Sequence, residues 1–144
     1  ITSVVSDHSP CTPKLKEGSF MSAWGGVSAL GLGLQILWTG ASERNFSIKD
    51  VSRWTSRNTA IQTRLFPKKG SLTVGADADL VIWDPEAKWT IELDDLHFKN
   101  KVSPYIGKKV KGRVMETWLR GEKVWDQKSK WTQPRGQAIL TSGR

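Results

Sequence analysis

The sequence predicts an α/β chain in which one strand and two helices lead into a β-rich second half. Three observations carry this expectation. Apolar residues from Val27 to Leu65 recur at spacings of three and four, the period changes to two beyond Pro67, and glycines and prolines punctuate the change.

Taken in order, Ile1 to Ser6, "ITSVVS", is a β-branched run of strand type. "DHSPCTPK" follows as a loop, because its two prolines disfavour both helix and central strand. In "GGVSALGLGLQILWTG", Val27, Leu30, Leu34, Leu37 and Trp38 fall on one helical face, with Gly40 as the expected C-terminal stop. Gly31 and Gly33 each weaken that helix by about 1 kcal/mol relative to alanine, which close packing against a neighbour would explain. Ser47 with Asp50 three residues on has the pattern of a capping box. It opens a second helix carrying Ile48, Val51, Trp54, Ile61 and Leu65, which Pro67 ends. "SLTV", "ADLVIWD" and "KWTIEL" read as short strands, and Arg120 to Lys123 as the turn of a hairpin within "GRVMETWLRGEKVWD".

At 144 residues and 38% hydrophobic content, with eight tryptophans, the chain has the length of one ordinary domain and the means to bury a core. Lys and Arg outnumber Asp and Glu by 22 to 14, a net charge of +8, which admits an anionic partner. The basic residues are dispersed, however, and read as solvated surface rather than a nucleic-acid stripe. A module stacking bases on indoles in a basic groove is the competing reading of the tryptophans; core packing is the more economical one. Cys11 is the sole cysteine, so no internal disulfide is available and a reducing, intracellular compartment is favoured, whether cytoplasm, peroxisome or mitochondrion. No apolar run approaches the roughly 20 residues needed to cross a bilayer. The final "TSGR" is not a peroxisomal SKL signal.

The chemistry-bearing candidates are few. Asp7 sits where a strand is expected to end, and could serve either as a ligand and proton carrier or as a loop aspartate making an Asx turn before Ser9 and Pro10. His8 could contact a substrate or be structural. Cys11 reads as a packing or loop residue. His97 has no partner at metal-ligand spacing and reads as structural. Gly25 and Gly26 form a flexible turn or let main chain approach a ligand closely.

Two longer stretches carry a resemblance. "GSLTVGADADLVIWDP", Gly70 to Pro85, resembles the return of amidohydrolase-superfamily enzymes from their barrel to a small β-sandwich, and "GRVMETWLRGEKVWD" resembles the sandwich's closing hairpin. "SDHSPCTPKLK", "AWGGVSALGLGL", "LHFKNKVSPYIGKKVKGRV" and "QPRGQ" are similar, within that superfamily, to the allantoinase group and its relatives among the dihydropyrimidinases, hydantoinases and dihydroorotases. The resemblance covers the whole chain.

It implies the last part of a metal-dependent (β/α)8 TIM-barrel hydrolase: the eighth strand and C-terminal helices in residues 1–68, then part of the β-sandwich in residues 69–144. It implies hydrolysis of a small cyclic ureide at two zinc ions, with Asp7 as metal ligand and proton carrier, and His8, Trp24 and Gly25 near the substrate. It also implies a homo-oligomeric complete enzyme with neither nucleic acid nor membrane as partner. Such a site needs several nitrogen ligands, and this chain offers two histidines and no HxH motif. An incomplete barrel, inactive alone and without tight zinc, is therefore expected, whether from a truncated gene model, a splice form or a degraded gene.

Overall fold

The computed structural model describes residues 1–140; "TSGR", which ends the 69–144 segment, lies outside the described residues. A 3-10 turn (Pro13–Lys16) precedes helix α1 (Gly33–Ser42). Helix α2 (Ile48–Ser52) continues through a π-helical turn (Arg53–Arg57) into helix α3 (Asn58–Gln62). Strands β1 (Leu80–Thr90), β2 (Lys109–Leu119), β3 (Glu122–Asp126) and β4 (Lys130–Trp131) form one antiparallel sheet in sequential order. The architecture is α/β without a closed barrel.

Several expected elements take a different form. "ITSVVS" forms no strand, because a strand exists only through its ladder and no neighbouring strand lies beside it among the described residues. The segment is instead tied to the second helix. The Val4 amide donates to the Trp54 carbonyl at 3.1 Å, Ser3 Oγ donates to Gln62 Oε1, and Asn58 Nδ2 donates to the Thr2 carbonyl. "SLTV" is likewise a loop. Lys69 anchors that loop by ion pairs to Asp77, at 2.9 Å, and to Asp79.

The first helix begins later than its apolar period suggests. Gly31 adopts φ +82°, which no helix residue can, and the backbone before it is committed to the preceding loop through Ser9 N–H to the Val27 carbonyl. Gly40 does not stop the helix. Asn45 does, at φ +60°, with the Phe46 amide reaching back to the Ala41 carbonyl at 3.0 Å. The second helix opens on the expected capping box: Ser47 Oγ accepts from the Asp50 amide while the Asp50 carboxylate accepts from the Ser47 amide. It ends before Pro67, where Arg64 turns left-handed and the Leu65 amide reaches the Ala60 carbonyl.

"ADLVIWD" and the start of "KWTIEL" are one strand, β1. Its register on β2 shifts between Asp84 and Lys88, so that Pro85, which lacks an amide donor, falls in the irregularity. The β2–β3 hairpin turns on Arg120 and Gly121, both at positive φ.

Two apolar clusters join the helices to the sheet. Leu32, Ile91, Leu96, Phe98 and Val110 form one; Trp38, Ala41 and Val51 form the other, with Leu34, Leu37, Trp54 and Trp83 against it. Trp38 meets Trp83 edge to face at 5.6 Å and donates Nε1–H to the Pro85 carbonyl at 2.8 Å. Both indoles lie on Gly112 of β2. A β-carbon there would sit 2.8 Å from Trp38 Cδ1 and 2.8 Å from Trp83 Cζ3, and its φ is +90°. Next to it, Thr39 Oγ1 of α1 accepts from the Lys111 amide at 2.8 Å.

Gly112→Ala is expected to destabilise the fold by about 2–4 kcal/mol, combining left-handed strain with overpacking against two rings. Gly31→Ala, with nothing within 4 Å of the added carbon, carries the strain alone, about 1 kcal/mol. Denaturant midpoints of the two variants measure the difference. The Asp50 carboxyl is held below its ordinary range chiefly by the Ser47 hydroxyl and amide, with Arg53 adding to it. A depressed carboxyl stabilises the fold above its unfolded pKa, and that contribution is lost as pH falls through the folded value. Asp50→Asn should therefore lower helix content near neutral pH, with the difference from the parent closing as pH falls below the ordinary aspartate range in a circular-dichroism titration.

Candidate functional site

The loop that begins at Asp7 runs alongside the segment from Trp24 to Leu30. The Ser9 amide donates to the Val27 carbonyl at 2.9 Å, the Leu30 amide donates to His8 Nδ1 at 3.3 Å, and Trp24 Nε1 donates to Ser9 Oγ at 3.3 Å. Gly26 makes this approach feasible: it adopts φ +91°, and a β-carbon there would collide with the Ser9 side chain at 2.4 Å.

Asp7 is exposed, and its Oδ1 accepts from the His8 amide at 2.7 Å. Its other carboxylate oxygen makes no hydrogen bond among the described residues. Asp7 lines an open cleft of about 770 Å³ between Val4, Val5, Val27, Leu34 and Val81. His8, Trp24 and Gly25 do not line that cleft. His8 instead accepts the Leu30 amide and sets its ring edge-on to Phe98 at 4.9 Å, two contacts that pin the loop to the core beneath it. Trp24 is 51% exposed, and nothing stands within 4 Å of a β-carbon placed on Gly25, so the backbone there is open to solvent.

Sequence reading missed Lys16. Its ammonium donates to the carbonyls of Trp24 at 2.9 Å and Gly26 at 2.8 Å, clamping the Trp24–Gly25 and Gly26–Val27 peptide units. A lysine after "PCTP" carries no mark of that task; only the return of the chain brings the two carbonyls to it. Cys11 is buried and unpaired by any disulfide, and Ser9 proves the more connected loop residue.

No group of three or more His, Cys, Asp or Glu side chains stands close enough to hold a metal ion among the described residues. Asp7 offers one hard carboxylate, whereas a catalytic zinc takes about three protein ligands. The residues present therefore do not make a metal site by themselves. No helix among the described residues is long and apolar enough to cross a membrane.

Known proteins place the chain. Residues 4–124 match the amidohydrolase family. The chain is 43% identical to the allantoinase of Saccharomyces cerevisiae over all of its own length and 31% of that protein's. It is 39% identical to the allantoinase of Arabidopsis thaliana, over 85% of this chain and 25% of that one. Among solved structures, a dihydropyrimidinase from Brevibacillus agri superposes with a TM-score of 0.82 at 29% identity, over 90% of this chain and 29% of that one. A D-hydantoinase from a Thermus species gives 0.78 at 30%, over 86% and 28%. The chain thus spans about a third of the length of the relatives it matches, and it belongs to the amidohydrolase family.

Proposed function

We propose that this chain is the C-terminal part of an allantoinase-type hydrolase, which opens the hydantoin ring of allantoin to give allantoate. In this reading residues 1–68 are the end of the catalytic barrel and residues 69–144 the sandwich segment. The observation that carries it is the placement of Asp7: an exposed carboxylate, with one oxygen free of hydrogen bonds among the described residues, opening onto a cleft at the end of "ITSVVS". By the resemblance "ITSVVS" is the eighth barrel strand of the complete enzyme, and active-site residues of such barrels lie at the C-terminal ends of strands.

Asp7 accepts a proton from the water that attacks the ring carbonyl and returns it to the departing amide nitrogen as the C–N bond breaks. That nitrogen leaves poorly as an anion, so proton return is what a positioned carboxyl contributes. Zinc, two ions in the complete enzyme, would need ligands from outside this chain, and Asp7 would supply one. Lys16 keeps the backbone around Gly25 fixed, so that its amide and carbonyl meet a cyclic amide without first being ordered. His8 supports the loop that holds Asp7, beside any contact it makes with substrate. A hydantoinase or dihydropyrimidinase activity is the second reading, favoured by the superposing hydantoinase and dihydropyrimidinase structures; the allantoinases similar in sequence favour allantoin.

In a complete enzyme carrying this segment, Asp7→Asn is expected to lower kcat for allantoin by about 10²-fold or more. Undiminished turnover would remove the assigned role, and faster turnover of hydantoin or dihydrouracil would select the second reading. The 144-residue chain alone is expected to show neither turnover nor stoichiometric zinc by elemental analysis. Lys16→Met should speed hydrogen exchange at the Gly25 and Gly26 amides while raising KM more than it lowers kcat in the complete enzyme.

A further inference from the structure

A second pocket, lined by residues 30–32 and Gln35 of the helical half and by the sheet, shares no lining residue with the Asp7 cleft. Its volume is about 300 Å³, at the lower end of small-molecule sites. Trp125 of β3 stands opposite Trp131 of β4 in the ladder, so both indoles project from the same face of the sheet. His97 completes an aromatic corner, with ring centres 5.7 Å from Trp131 and 6.4 Å from Trp125 and interplanar angles of 88° and 62°. Trp125 and Trp131 are themselves 6.4 Å apart at 62°. No two of these rings are stacked in parallel, and Trp131 is 63% exposed, so a flat guest can reach its indole.

Charge narrows the guest. Arg113, lying over Trp89 at 4.7 Å, faces Asp95 at 3.7 Å, so its charge is answered within the pocket wall. Lys130 makes no ion pair among the described residues. It lines the pocket as the first residue of β4, with φ +65°. Burial, with Lys130 and Lys101 nearby, pushes the His97 imidazole below its ordinary pKa, so it stays neutral at physiological pH and adds no second charge. The pocket therefore carries one uncompensated positive charge beside aromatic walls. Two lining residues also hold unpartnered buried polar atoms, Gln35 Oε1 and Trp125 Nε1. Both atoms are shielded from solvent, so a small side-chain rotation is needed before a ring carbonyl or ring N–H can satisfy them.

We propose that this pocket binds a planar heteroaromatic monoanion of one or two fused rings, stacked on Trp131 with its edge toward Trp125 and its charge on Lys130. The inference stands independently of the hydrolase reading, since none of these residues belongs to the Asp7 cleft.

The test titrates the whole 144-residue chain with indole-3-carboxylate and follows the tryptophan indole N–H signals by NMR, assigned through single Trp→Phe variants. Indole, planar and neutral, and cyclohexanecarboxylate, anionic and not planar, are the controls. Saturable shifts are expected at Trp89, Trp125 and Trp131, with indole-3-carboxylate the tightest of the three. Trp131→Ala should weaken its binding about tenfold, the remaining indole signals showing that the fold persists. Lys130→Gln should erase its advantage over indole. Absence of saturation up to about 10 mM, equal binding of cyclohexanecarboxylate, or binding unchanged in Trp131→Ala would each overturn the proposal.

Discussion

The contact on which the rest depends is the seating of Trp38 and Trp83 on Gly112. It joins the helical half to the sheet, and it works only because position 112 has no side chain and tolerates a left-handed backbone. Around it the bonding is continuous. The Trp38 indole donates to Pro85, the Trp89 indole donates to the Gly112 carbonyl, and Thr39 takes the Lys111 amide. The same place absorbs the proline in β1, because the register shift leaves Pro85 without a ladder bond to make and its carbonyl free for Trp38. A single glycine thus lets a helix, a bulge and two strands share one buried surface.

The N-terminal segment is governed by the opposite condition. "ITSVVS" has the composition of a central strand and no strand beside it among the described residues, so the Val4 amide and the Thr2 carbonyl go to the second helix. The π-helical turn offers Trp54's carbonyl to Val4. Ile1 and Val5 are exposed. Asp7, next in line, inherits that openness. Its carboxylate is accessible and carries a single local hydrogen bond, which suits a group that acts on something brought from elsewhere.

The two candidate regions differ in kind. Around Asp7 the backbone is ordered by neighbours in space: Lys16 on two carbonyls, His8 on an amide, Ser9 on an indole. Around Trp125 and Trp131 it is ordered by strand pairing, with two aromatic side chains placed on one face by the period of the ladder. One region, under the proposed function, belongs to a hydrolase site that needs further ligands. The other is lined by residues from the first helix and the sheet.

Much of this was legible in residues. Ser47 and Asp50 specify a helix start because both partners of the box lie within one turn. The hairpin at Arg120 and Gly121 follows from alternating apolar segments on either side of a turn, and the family match rests on motifs read directly from the chain. Asp7 could be singled out from its neighbours, but not its cleft. What the tertiary structure decided depends on distant segments meeting: that Asn45 rather than Gly40 ends the first helix, that Lys16 clamps the turn at Gly25, that Trp131 joins His97 around a cavity. Local sequence determines propensity within a turn or two. Which donor finds which acceptor across some dozens of residues is settled only when packing around Gly112 fixes where each element lies.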